Sequence, residues 1–157
     1  RQQAVARIVG GASRVTDLFA GCGTLGLPLL KDLSKLTAAE SDTAALAAMK
    51  AAVDAAGLGA RLDCIEADLM RAPLTADLFG DVEAVIIDPP RAGASAQCEI
   101  LATTAVPAIA MVSCNPASFA RDAAILIAGG YRLTSLQIID QFRFSSHVEI
   151  VAGLERG

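Results

Sequence analysis

The sharpest chemical signal in the sequence is Cys114-Asn115-Pro116. Asn115 is a good helix N-cap and Pro116 a good first helical residue, so Cys114 stands immediately before a helix start. The partial positive charge there favours an anionic sulfur, and a thiolate is an effective covalent nucleophile. The usual fate of a free cysteine is that of a small buried hydrophobe, and that reading is kept for Cys22, Cys64 and Cys98.

A glycine loop comes earlier, in Asp17-Leu18-Phe19-Ala20-Gly21-Cys22-Gly23-Thr24-Leu25-Gly26. A G-x-G-x-x-G alone is a weak signal: it fits dinucleotide binding, and it also fits a tight strand-to-helix turn with no ligand. Asp17 shifts the balance. A carboxylate there would repel a pyrophosphate but suits the ammonium group of S-adenosylmethionine. Two further acids close apolar runs. Glu40 is placed to accept from both hydroxyls of a ribose, which it would do equally for NAD. Asp68 could accept from an adenine amino group. Each of these two could instead be a solvated turn or a helix cap; three acids at successive strand ends make coincidence a poor explanation.

Asp88-Pro89-Pro90-Arg91 follows another apolar run. Two prolines fix φ and remove donors, so the loop is held extended and Asp88 can address a flat polar ring. The plainer alternative is a stiff loop with an exposed acid. Near the end, His147-Val148-Glu149 supplies the only histidine and an acid beside an apolar strand. A carboxylate pointed into an apolar site can act as a base. Spacing alone favours an ordinary surface strand, with His147 and Glu149 on one face.

Short apolar runs alternating with helical patterns must position these residues. Strands are expected at Val15–Phe19, Lys35–Ala39 (ending at Glu40), Arg61–Glu66, Ala84–Ile87 and Ile109–Ser113. Helices are expected at Gly26–Leu33, at Ser41–Ala56 with Gly57 to stop it, and at Pro116–Ala128, closed by Gly129-Gly130. Leu133–Ile139 and Val148–Leu154 follow without a helix between them, which predicts an antiparallel pair. The pattern predicts an α/β domain: a mostly parallel, roughly seven-stranded sheet with helices on both faces. Ligands of such sheets bind beyond the carboxyl ends of the strands, where all the candidate residues fall.

The 157 residues suit one domain, with no internal repeat or linker. No apolar run reaches the ~18 residues of a membrane span. The four cysteines lack paired metal-ligand spacing, so no metal is expected, and free thiols suit a reducing cytoplasm. The first residue is Arg1 rather than Met, which reads as an excised piece. A net charge of −4 conflicts with a nucleic-acid substrate unless the basic surface lies elsewhere.

Asp17–Leu30, Asp88–Gly93, Val112–Asp122 and His147-Val148-Glu149, in this order, resemble the RNA 5-methyluridine (uracil-C5) methyltransferases. The resemblance covers nearly the whole chain, residues 1–157, and departs from the family's usual Pro and Thr at Arg143 and Ser145. It implies a Rossmann-like class I methyltransferase fold and S-adenosylmethionine bound by Asp17, Phe19, Ala20, Gly21, Gly23, Glu40, Asp68 and Asp88. It also implies Cys114 as nucleophile, Glu149 as base and Asp88 as the residue that positions a uridine of tRNA or rRNA. An N-terminal RNA-binding portion would lie outside this chain, which resolves the charge conflict; the piece by itself need not be active. A methyltransferase acting on nitrogen or on a small molecule is the main alternative. It leaves Cys114 and Glu149 without a role. A degenerate non-enzymatic module and a hydride-transferring NAD enzyme are weaker readings.

Overall fold

A computed structural model describes residues 1–139 and 148–157. Seven strands form one sheet: β1 (Arg14–Leu18), β2 (Lys35–Glu40), β3 (Leu62–Glu66), β4 (Ala84–Ile87), β5 (Ala108–Ser113), β6 (Tyr131–Ile139) and β7 (Glu149–Arg156). Their order is β3-β2-β1-β4-β5-β7-β6. The first five neighbours are parallel; β7 runs antiparallel to both β5 and β6. The expected mostly parallel sheet with an antiparallel final pair is therefore present. What spacing did not indicate is that β7 enters between β5 and β6.

Among the described residues, four helices cover the faces: α1 (Gln2–Ile8), α2 (Thr43–Ala55), α3 (Ser95–Ala102) and α4 (Pro116–Ala128). Side chains alternate across a strand, so β4 serves two cores. Ala84 and Ile86 pack with Val5 of α1 and Leu46 and Met49 of α2. Val85 and Ile87 pack with Leu101 of α3 and Phe119 and Leu126 of α4. Burial on both faces explains why β4 reads as an unbroken apolar run.

The helix expected at Gly26–Leu33 reduces to a single 3-10 turn, Leu27–Leu29. Pro28 has no N–H to give the Thr24 carbonyl, which instead accepts from the Gln2 side-chain amide at 2.8 Å. The other two helices match expectation. Asp42 caps α2 through the Ala44 and Ala45 amides, and Gly57 follows it with φ +73°. Asn115 caps α4 through Ala117 N at 3.1 Å.

Sequence reasoning assigned neither α1 nor α3. In α3, Gln97 is fully buried, which breaks the apolar stripe; its amide is satisfied by the N–H and C=O of Leu74. Cys98 is buried as expected, and burial pushes its thiol up to about 12, with Asp122 adding to the rise. Cys22 and Cys64 are exposed, against expectation. Cys22 sits on the glycine loop, and Cys64 lies on β3, an edge strand with one neighbour.

Candidate active site at the strand ends

The chain runs outward from β1 through β2 to β3, then returns to place β4 on the other side of β1. This reversal makes β1 and β4 the topological switch point, where α/β sheets open a crevice for ligands. The last registered pair there is Leu18 with Ile87. The next residues are Phe19 and Asp88, and the Asp88 amide donates to Leu18 O at 3.4 Å.

Phe19 leaves β1 with φ +59°, a conformation that costs energy for a bulky residue. Ala20 N returns to Ala39 O at 3.1 Å. Gly21 and Gly23 then take φ of +55° and +82°. A Cβ on Gly23 would lie 2.5 Å from Leu27 Cγ, so this loop is built around absent side chains. Asp17, just before it, is 1% exposed. Its Oδ2 accepts from Gly26 N at 3.1 Å; Oδ1 is buried with no hydrogen-bond partner. Burial pushes the Asp17 carboxyl up to about 7; the Gly26 amide opposes this, while Asp88 and Glu40 add to it.

Glu40 ends β2 and faces the same loop. Its Oε2 accepts from Gly21 N at 2.9 Å, and its Oε1 accepts from Ser41 N, Ser41 Oγ and Asp42 N. Burial alone would raise its pKa, but these hydrogen bonds outweigh it and hold the carboxyl below its ordinary value. Asp68 is exposed after β3, and its Oδ1 accepts from Met70 N at 3.2 Å, so it makes the turn foreseen as its plainer role. It also lines a cleft of about 310 Å³ together with Phe19, Glu40, Asp88 and Pro90. The fold thus brings Glu40, Asp68 and Asp88 to one opening, while Asp17 is buried and does not line it.

This opening fits S-adenosylmethionine better than a dinucleotide. Asp17, Glu40 and Asp88 interact electrostatically. They would repel a pyrophosphate and attract an ammonium and a sulfonium. Asp17 Oδ1, a buried acceptor without a donor, has the chemistry an ammonium group would satisfy. A separate groove of about 290 Å³ between α1 and the β6–β7 pair holds none of the candidate residues.

Asp88, Cys114 and Glu149 stand at the ends of three adjacent strands, β4, β5 and β7. Asp88 is half-buried, Cys114 is partly exposed just after β5, and Glu149 is partly buried at the first position of β7. The register between β5 and β7 ends with Ser113 opposite Ile150, the residues next to Cys114 and Glu149. Arg1 Nη1 lies 3.8 Å from Asp88 Oδ2 and 3.5 Å from Glu149 Oε2. Burial pushes the Asp88 carboxyl up; Arg1 pulls against that and Glu149 adds to it. His147, Arg143 and Ser145 lie outside the described residues.

Sequence reasoning missed Arg121 and Asp122, which reach the loop after Asp88 from α4. The available signal was a charged pair inside the otherwise apolar helix Pro116–Ala128. Among the described residues, no group of three or more His, Cys, Asp or Glu side chains could hold a metal, and no helix is long and apolar enough to cross a membrane.

The family model described as tRNA (uracil-5-)-methyltransferase matches residues 75–156, more than half of the chain. The chain belongs to this family. The tRNA (uracil-5-)-methyltransferase match contains Asp88, Cys114 and Glu149. An uncharacterised RNA methyltransferase of Mesorhizobium japonicum is 47% identical over 99% of this chain and 38% of its own length. The 23S rRNA (uracil(1939)-C(5))-methyltransferase RlmD of Halomonas elongata is 37% identical over 94% of this chain and 30% of its own. The chain thus spans about a third of the length of these curated relatives. Among solved structures, the Pyrococcus abyssi tRNA (uracil-54, C5)-methyltransferase in complex with S-adenosyl-L-homocysteine superposes with a TM-score of 0.79 and 29% identity. That match covers 97% of this chain and 36% of the other.

Proposed function

We propose that residues 1–157 are the catalytic domain of a cytoplasmic enzyme that methylates C5 of a uridine in tRNA or rRNA. Family membership supports the reaction class. The names of the Halomonas and Pyrococcus relatives supply the uracil-C5 target, and the Pyrococcus complex supplies the cofactor class. The observation that carries the reading is the antiparallel pairing of β5 with β7. It sets the start of β7, where Glu149 stands, at the end of β5 just before Cys114, and Asp88 follows the neighbouring β4. The RNA grip is assigned to polypeptide outside this chain, because this chain is net acidic.

S-adenosylmethionine supplies an electrophilic methyl group when bound. Asp17, Glu40 and Asp68, with the backbone of Phe19, Ala20, Gly21 and Gly23, would hold it in the cleft, and Asp88 borders both it and the target base. Uridine C5 is a poor nucleophile, so the protein must activate it. The Cys114 thiolate adds to C6, forming a carbon–sulfur bond and moving the C5–C6 π electrons into an enolate across C5 and the C4 carbonyl. Asp88 orients the ring by hydrogen bonding. After C5 has taken the methyl group, Glu149 removes its proton; the electron pair reforms the C5–C6 double bond and expels the thiolate. The target base must leave its stack to reach this site.

In the full-length enzyme, Cys114→Ala should form no adduct and transfer no methyl group. Glu149→Gln should transfer the methyl group and then stall, trapping a protein–RNA adduct that survives denaturing electrophoresis. Robust C5 methylation by Cys114→Ala would overturn the mechanism. The absence of an adduct in both variants alongside methylation of a nitrogen would favour direct attack by an amine.

A further inference from the structure

Asp122 is completely buried in α4, and its hydrogen bonds run to the end of the loop after Asp88 and to its helix neighbour Arg121. Its Oδ2 accepts from Ala94 N at 2.6 Å, at the end of the loop that begins with Asp88. Its Oδ1 accepts from Arg121, with Nε at 2.8 Å and Nη2 at 2.7 Å. The same Arg121 Nη2 donates to Ala92 O at 2.8 Å. Asn115, which caps α4, donates through Nδ2 to Arg91 O at 2.9 Å. Three consecutive peptide units of the Asp88 loop are thus tied to the helix that begins just after Cys114.

At Gly93 the loop passes close against that helix. Its φ is +81°, and a Cβ there would collide with the Asp122 carboxylate, the Arg121 guanidinium and Ser118 Cβ. Within the loop, Gly93 N donates to Pro90 O at 2.8 Å. The Pro89-Pro90 pair limits bending at the other end. The segment is therefore stiff, with one end joined to β4 and the other anchored on α4.

We propose that Asp122 and Arg121 are positioning residues that hold Asp88 in register with Cys114, so that a base held by one is presented to the other. The proposal rests on the uridine-methylation reading for its catalytic consequence. Only the Asp122 end of this pair is buried; Arg121 is half exposed, and a buried carboxylate serving only stability would often be replaceable by a well-packed apolar residue. Here both partners bind backbone groups of a loop that points at the site, where a shift of about 1 Å costs on the order of a hundredfold in rate.

The test compares the full-length enzyme with its Asp122→Asn and Arg121→Lys variants, each checked for folding by thermal melting. Hydrogen exchange at the Ala94 amide reads the clamp directly. Single-turnover methylation of uridine-containing RNA reads its consequence. S-adenosylhomocysteine affinity serves as a control on the neighbouring site. Asp122→Asn should exchange the Ala94 amide about tenfold faster or more and lose roughly tenfold to a hundredfold in methylation rate per folded molecule. S-adenosylhomocysteine affinity should fall by less than the methylation rate, because Glu40 and Asp68 border the cleft from outside the clamped loop. Arg121→Lys, which keeps the charge but loses the fork geometry, should fall between Asp122→Asn and wild type. An unchanged Ala94 exchange rate, or faster exchange with an unaltered methylation rate, would overturn the proposal. A rate loss that only tracks the folded fraction would do the same. If the wild type methylates no uridine C5, the functional reading fails instead, and Ala94 exchange alone then decides whether the clamp exists.

Discussion

Asp88 and Glu149 share one guanidinium, that of Arg1, at 3.8 and 3.5 Å. The two acids come from β4 and β7, which are not neighbours; β5 lies between them and ends just before Cys114. Three groups far apart in sequence thus stand at three adjacent strand ends. Arg1 opposes the rise in the Asp88 pKa caused by burial. Arg1→Gln should therefore let Asp88 keep its proton to higher pH, seen as an upward shift of its side-chain carbonyl titration by NMR. A titration that does not move would show that Arg1 exerts no field there.

Asp17 should make stability and cofactor binding depend on pH in opposite senses. Its carboxyl rises from 3.8 in the unfolded chain to about 7 in the fold. The folded state therefore holds the extra proton between those values. Its stabilising contribution is complete below about pH 4 and is lost as pH climbs through 7, a change on the order of 4 kcal/mol. Denaturant unfolding between pH 4 and pH 8 should show this fall, and Asp17→Asn should remove most of it. An ammonium ligand favours the charged form, so S-adenosylhomocysteine binding near pH 6 should release a proton. Calorimetry in two buffers of different ionisation enthalpy would detect the release; equal heats in both would count against Asp17 as the partner of the ammonium.

Glu40→Ala should weaken S-adenosylhomocysteine binding by about tenfold or more, the loss of a charge-assisted pair of hydrogen bonds to a ribose. Tighter binding of NAD than of S-adenosylhomocysteine by the wild type would overturn the cofactor assignment altogether.

Gly23→Ala adds a methyl group 2.5 Å from Leu27 Cγ at a residue with φ +82°. Overpacking and the left-handed backbone should together cost roughly 1–3 kcal/mol. Cofactor affinity should fall with it, because the loop must open to admit the new Cβ. Gly57→Ala is the control: φ is +73°, but no atom lies within 4 Å of the added Cβ. It should lose stability and keep affinity per folded molecule. Equal affinity losses at both glycines would remove the special role of the loop.

The isolated chain should bind RNA poorly, given its net charge of −4. Filter binding across a salt series tests this. Tight, steeply salt-dependent binding would place the RNA grip on this domain after all.

Much of the site was legible in one dimension. Apolar runs ending in Glu40 and Asp88 marked strand ends, because strands buried on both faces must be apolar and a charge appears most readily where the chain emerges; Asp17 is the exception, a buried acid inside β1. Asn115 and Pro116 marked the start of α4, because capping and fixed φ are local properties. The resemblance joined Cys114 to Glu149, but nothing local to either residue shows that they meet. That depends on β7 inserting between β5 and β6, an ordering set by pairing between residues as distant as Ser113 and Ile150. The shortened helix after the glycine loop depends on Gln2 satisfying Thr24 O in place of the amide Pro28 lacks. Asp122 reads in sequence as a polar interruption of an amphipathic helix. Only the tertiary structure makes it an anchor, because a buried carboxylate takes its meaning from the donors the fold brings to it, here the amide of Ala94.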